Sequence, residues 1–271
     1  MSSSVFEVTK VTSHYWRATI NQPPFNLAGP NFIISLWKLL QEAEAESDLK
    51  ILVFDSAVPD FFISHYDLQQ ASSISPDLLA KWPLMMLKLA TIPVITVAAI
   101  CGRARGIGSE FVLACDIRFG SKEKAILSQA EVSFGLIPGG GGIELLPKHV
   151  SRSRMLEIIC GSDEFDATTA ADYGWINRAV PDTDLDDFVD RFARRVSGWH
   201  KPALALAKEL TNERFGLPKK EDFDASYNAM AQLLSDYEVL KRVQTLMEEG
   251  LEKDRDVELD VANFTAKFPM H

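Results

Sequence analysis

Apolar and polar residues alternate over positions 5–11 and again over 15–20, with Thr12-Ser13-His14 between them, which predicts a β-hairpin. Asn21-Gln22-Pro23-Pro24 ends that pattern. From 31 to 45 the apolar positions fall at 32, 33, 36, 37, 39 and 40, behind a Gly29-Pro30 start signal, so an amphipathic helix is expected. Ile51-Leu52-Val53-Phe54 reads as a short buried strand, and 59–66 as a loop of unusual aromatic content. Positions 76–90 have helical spacing, with Pro83 expected to kink or divide the helix. The stretch 94–100 is nearly all apolar and β-branched, the pattern of a strand buried on both faces. A helix opens at 106–115, and 117–119 and 125–127 are short strands. Repetition of strand, strand, helix predicts an α/β fold with a mostly parallel sheet.

Beyond Gly142 the period changes. Helical spacing holds over 143–149, 154–159, 168–173, 185–199, 203–215 and 225–249, with one short strand at 176–180 and a charged final helix over 252–267. No internal repeat or low-complexity linker interrupts the chain. The expected division is a core domain over 1–200 that carries the candidate site and a helical region over 201–271, a change of class within one fold.

A chain of 271 residues and 30.2 kDa fits one large domain, or one domain with an appendage, and a hydrophobic fraction of 46% is ample for a core. With 28 Lys and Arg against 38 Asp and Glu, the formal net charge is −10, which argues against a nucleic-acid partner but leaves room for an anionic ligand in a local pocket. Cys101, Cys115 and Cys160 lie far apart without metal-type spacing and read as reduced, buried thiols. The N-terminus shows no signal-peptide pattern, and the longest apolar run, 92–101, is about half of the roughly 20 residues that span a bilayer. Pro269-Met270-His271 is not a peroxisomal signal, so a cytoplasmic protein without membrane contact is expected.

Two glutamates on glycine-rich elements are the candidates for chemistry. Glu110 ends Gly106-Ile107-Gly108-Ser109-Glu110, which follows the buried strand and opens a helix. Glycines let backbone approach a ligand, and the first N–H groups of a helix lack internal partners and carry partial positive charge. A growing oxyanion would be stabilised there; the alternative is a turn whose glycines only permit close packing. Glu110 sits among apolar neighbours, and burial raises a carboxyl pKa towards the range useful for proton transfer. Glu131 precedes an apolar stretch with no neighbouring base. Either glutamate alone could equally decorate the surface. Gly139-Gly140-Gly141-Gly142 is either an anion-holding nest or a flexible lead-in to a helix.

Taken together these motifs resemble the crotonase (enoyl-CoA hydratase/isomerase) family. The family's glycine-rich helix start with its glutamate is matched by 106–110, and Cys115-Asp116-Ile117-Arg118 and Glu131 follow. Its Gly-x-Ile-Pro-Gly-x-Gly-Gly run is matched by 135–142, its opening Asn-x-Pro-x-x-Asn by 21–26, and its later segment by 161–180. The similarity spans roughly residues 5 to 250 and is most specific in the middle third.

The resemblance implies a crotonase-like spiral of ββα units with a C-terminal helical trimerisation region. It implies hydration of a 2-enoyl-CoA, with Glu110 and Glu131 handling one water and the backbone N–H groups of Tyr66 and Ile107 as the oxyanion hole. Substrate contacts are expected from Phe25 in the opening segment and from Ser64, His65 and Asp67 beside Tyr66. Gly106 and Gly108 flank Ile107, and Gly135, Pro138 and Gly139 follow Glu131 as further expected contacts. Coenzyme A would arrive as part of the substrate, with no separate cofactor and no metal, and the assembly would be a homotrimer or a dimer of trimers. An isomerase, C–C lyase or decarboxylase of the same fold is an alternative, and a noncatalytic, RNA-binding homologue is another.

Three departures from the family pattern matter. Ser64-His65-Tyr66-Asp67 replaces a small-residue loop, and His65 could be a third acid-base group or a packing residue. Ile107 occupies the middle of the usual glycine triplet, where a backbone donor tolerates it. Ala262-Asn263-Phe264 stands where the family has Phe-x-Glu-Lys-Arg. Phe61, Phe62, Trp82, Met85 and Met86 are candidates for either an acyl pocket or the core.

Overall fold

A computed structural model describes residues 5–70 and 75–270. β1 (Phe6–Thr12) and β2 (Tyr15–Ile20) form the expected antiparallel hairpin, with β2 buried along most of its length. β2 then pairs in parallel with β3 (Ile51–Ser56), and the parallel order continues through β5 (Ile95–Ile100), β7 (Ile117–Ser121) and β10 (Arg178–Val180). A second sheet holds β4 (Asp60–Ile63), β6 (Gly102–Arg105) and β8 (Ile126–Ser128) in parallel, with β9 (Phe165–Asp166) antiparallel at its edge.

The two sheets grow together. β3 and β4, β5 and β6, and β7 and β8 each place their first strand in the large sheet and their second in the small one. Helices complete the units: α1 (Pro30–Ala45) follows the hairpin, α2 (Pro76–Leu79) and α3 (Lys81–Thr91) follow β4, and α4 (Ile107–Ala114) follows β6. This repeated ββα turn is the architecture that the crotonase resemblance implies. The main apolar core, with Phe32, Phe54, Phe62 and Phe111 at its centre, lies where α1, α3 and α4 meet the sheets.

Several expectations are corrected. The 59–66 loop contains β4, with Asp60 at positive φ where the strand begins. The unpredicted β6 runs beside it, and a Cβ on Gly102 would lie 2.6 Å from the Asp60 carbonyl oxygen, so this crossing needs glycine. Pro83 does not break a helix. The division falls before Lys81, and Pro83 sits in the first turn of α3, where its missing N–H costs nothing. The 143–149 segment is only α5 (Gly142–Leu145) and one 3-10 turn, between which and β9 lies α6 (Arg152–Gly161). α7 (Ala167–Tyr173), α8 (Asp182–Ser197) and α9 (Lys201–Phe215) match their spacing. The long 225–249 helix is two, α10 (Lys220–Leu233) and α11 (Tyr237–Glu248), because the Asp236 side chain accepts from Glu238 N and caps the second. The tail is α12 (Arg255–Leu259) and α13 (Val261–Ala266). Cys115 is buried, but Cys101 is only partly so and Cys160 is exposed. No helix of the described residues is long and apolar enough to cross a membrane.

Candidate active site

The end of β6 and the start of α4 form one wall of a cavity of about 310 Å³. Gly106 has φ +49, a conformation that favours glycine, and its N–H donates to Ser128 O at 2.9 Å. Ile107 is the first residue of α4, so its N–H has no carbonyl one turn back to bond. The facing wall is the loop after β4. Ala28 N–H donates to His65 O at 2.9 Å and Ala28 O accepts from Asp67 N–H at 3.3 Å. In this parallel bridge the N–H of Tyr66 itself points away from Ala28. Tyr66 and Ile107 both line the cavity.

Glu110, in the first turn of α4, is buried among apolar neighbours yet well provided with donors. Its Oε1 accepts from Gly140 N–H at 2.8 Å and Gly142 N–H at 3.2 Å, and its Oε2 accepts from the Trp82 indole N–H at 3.2 Å. Burial pushes its pKa up to about 7, against the pull of the two glycine amides. Glu131 begins the 3-10 turn Glu131–Phe134 after β8, and its carboxyl reaches back over Gly106. A Cβ on Gly106 would lie 2.9 Å from Glu131 Oε1, so glycine leaves the room that this carboxyl occupies. With its amide oriented to suit its neighbours, Gln129 donates to the Glu131 oxygens at 3.1 and 3.2 Å and accepts from Ser109 Oγ at 3.2 Å. Burial, and then the negative charge of Glu110, raise the Glu131 pKa well above the usual carboxylate range. Two carboxyls with raised pKa values therefore line one apolar cavity between two walls.

The enoyl-CoA hydratase/isomerase family model matches residues 16–253. The chain belongs to the enoyl-CoA hydratase/isomerase family. A fatty acid oxidation complex subunit alpha from Aliivibrio fischeri is 30% identical over 262 residues, which is 93% of this chain and 38% of that protein. The mouse enoyl-CoA hydratase domain-containing protein 2, mitochondrial, is 29% identical over 68% of this chain and 60% of its own length. This chain thus spans less than two thirds of the length of both curated relatives. A Streptomyces avermitilis crystal structure with a provisional enoyl-CoA hydratase assignment superposes with TM-score 0.91 at 37% identity, covering 99% of each chain. An enoyl-CoA hydratase structure from Mycobacterium avium subsp. paratuberculosis shares the fold at TM-score 0.81 and 21% identity, covering 89% of this chain and 98% of that one.

Within this family fold, the residues singled out from sequence divide. Tyr66, Ile107, Glu110, Glu131, His65, Gly106 and Gly139 line the cavity. Phe25 and Asp67 line a separate hollow beside Pro23 and Gln69, and Asp67 accepts from Gln70 N at 2.9 Å. Ser64 is fully buried and donates to Glu258 Oε2 at 3.0 Å. Gly108, Gly135 and Pro138 are not part of the lining. A Cβ on Gly108 would strike the Ile63 carbonyl, Gly135 turns the chain at φ +82, and Pro138 packs against Gly142. Both His65 ring nitrogens have protein partners, Nδ1 with Tyr66 O at 2.8 Å and Nε2 with Glu258 at 3.1 Å. That favours the packing reading of His65 over a free acid-base group. Of the five apolar candidates only Trp82 lines the cavity; Phe61, Phe62, Met85 and Met86 are wholly buried in the core.

Sequence reasoning missed the far wall. Tyr227, Met230 and Leu234 come from the α10 end of the chain, and a Cβ on Gly139 would lie 2.6 Å from Met230 Sδ. It also missed Gln129. Spacings of three and four residues mark an apolar face on α10, but they do not say what that face covers.

Proposed function

We propose that this chain is an enoyl-CoA hydratase, adding water across the double bond of a 2-enoyl-CoA to give a 3-hydroxyacyl-CoA, or running the reverse dehydration. The observation that carries this reading is the pair of unlike carboxyls facing one apolar cavity. Two interacting carboxyls with raised pKa values ionise in succession, so there is a pH range in which the pair holds one proton. Glu110 accepts three N–H donors from other residues, which favour its ionised form, and it is assigned the base. Glu131 feels the charge of Glu110 and is assigned the acid.

In this mechanism the thioester oxygen lies between the N–H groups of Tyr66 and Ile107. Glu110 takes a proton from water as the water oxygen bonds to C3. The π electrons move to C2 and the thioester oxygen, giving an enolate that the two N–H groups stabilise. Glu131 then delivers its proton to C2. Coenzyme A enters as part of the substrate, and the assembly is proposed to be a homotrimer or a dimer of trimers. Double-bond isomerisation, C–C cleavage and decarboxylation would each pass through a different thioester enolate whose oxygen the same two N–H groups could hold. A screen of enoyl-, hydroxyacyl- and aryl-CoA thioesters with mass-spectrometric product identification separates them. Hydration adds one water to the substrate mass; a product of unchanged mass or a shortened acyl group would overturn the hydratase reading.

A further inference from the structure

The loop that carries Tyr66 is held from the far end of the chain. Glu258, fully buried in α12, accepts from Ser64 Oγ at 3.0 Å, from His65 Nε2 at 3.1 Å and from Glu252 N–H at 2.9 Å. Glu252 reaches the other side of the same loop, accepting from Leu68 N–H at 2.6 Å and Gln69 N–H at 3.0 Å. Its backbone has φ +63, a strained conformation for a residue with a side chain. Arg105, wholly buried, ties the arrangement to β6 by donating to Glu258 O at 2.8 Å and Glu164 Oε1 at 2.6 Å.

His65 links this cluster to the Tyr66 backbone. Both its partners are acceptors, the Tyr66 carbonyl on Nδ1 and the Glu258 carboxylate on Nε2, so both nitrogens carry protons and the ring is a cation. Burial alone would lower the His65 pKa, but the charges and bonds of Glu258 and Glu252 outweigh it and raise it. The cation in turn, against the effect of burial, holds Glu258 down at about 2. The ring thereby fixes the peptide plane after Tyr66, while Ala28 fixes the plane before it. Ser64 and His65 depart from the small-residue loop of the family, and Glu258 gives both a buried partner.

We propose that Glu252 and Glu258 are positioning residues, which clamp the 64–69 loop from both sides and hold the Tyr66 N–H in line with the substrate's thioester oxygen. This rests on the reading of Tyr66 N–H as a donor to that oxygen. The test uses the full chain and butyryl-CoA labelled with ¹³C at its thioester carbonyl, whose infrared stretch falls as hydrogen bonds to the oxygen strengthen. In the wild type the stretch is expected below that of free butyryl-CoA. In Glu258→Gln and Glu252→Gln it is expected to move back towards the free value. With crotonyl-CoA, kcat is expected to fall roughly 10–100-fold for a donor displaced rather than removed, with KM within about twofold. Should Glu258→Gln not fold, His65→Asn, at a partly exposed position, carries the same expectation. Folded variants that keep the wild-type stretch and kcat would overturn the clamp and leave the Tyr66 reading standing. A wild-type stretch equal to that of free butyryl-CoA would overturn the Tyr66 reading, and the clamp with it.

Discussion

At the scale of single residues, placing two carboxyls in one apolar cavity has a cost that depends on pH. Burial raises the pKa of both Glu110 and Glu131, so the folded state binds protons that the unfolded chain has already released above the ordinary carboxylate range. Stability therefore falls as pH rises from about 4.5 through the raised folded values. Glu131→Gln removes one such group, so its melting temperature is expected to exceed the wild type's by more at pH 8 than at pH 5. In chains of this size each kcal/mol recovered is worth roughly 2–4 °C. A thermal-melt series over that range checks it, and a difference independent of pH would show that Glu131 is not held protonated. The donor at Ile107 has a separate test. Ile107→Gly keeps the N–H and should keep most activity, whereas Ile107→Pro deletes it and should cost on the order of 3–4 kcal/mol of transition-state stabilisation. Circular dichroism must first show the proline variant folded; full activity in that variant would remove Ile107 from the mechanism.

At the scale of elements, the cavity is a joint product of distant segments. Tyr66 follows β4, Trp82 lies on α3, and Met230 comes from α10. If this surface receives the acyl group, Tyr66→Ala keeps the backbone donor but loses side-chain volume. It should then shift the ratio of kcat/KM between short and bulky acyl-CoAs by roughly 1–3 kcal/mol. Equal losses at every acyl length would show that the loop does not select substrate. The elements also show what the sequence made legible. The hairpin and α1 have one apolar face and β5 is nearly all apolar, so pattern finds them, while the glycine-rich start marks α4. β6 is Gly102-Arg103-Ala104-Arg105, which reads as surface, because Arg105 is buried against partners remote in sequence. β4 is only four residues long and starts at a positive φ. The break between α10 and α11 had a readable signal in Asp236, which sits at the N-cap.

At the scale of the whole molecule, the alternation of strands between two sheets brings the ends of β4, β6 and β8 to one place, where Tyr66, Ile107 and Glu131 follow them. The glycine-rich motifs singled out both glutamates, the family resemblance added Tyr66 and Ile107 as candidate backbone donors, and the fold brings all four residues to one cavity. The Glu252–Glu258 clamp was not legible, since its bonds span more than 180 residues and no local pattern records them. In the proposed reaction Glu110 and Glu131 act on one water and one enolate. The most direct measurement is mass spectrometry of the product formed from crotonyl-CoA in H₂¹⁸O, and separately in D₂O, by the wild type, Glu110→Gln and Glu131→Gln. The wild-type product is expected to carry ¹⁸O at C3 and one deuterium at C2. Turnover is expected to fall by about 10²–10⁴-fold in each variant with the fold retained. A wild-type product without ¹⁸O, or a variant of either glutamate that incorporates ¹⁸O at the wild-type rate, would contradict it.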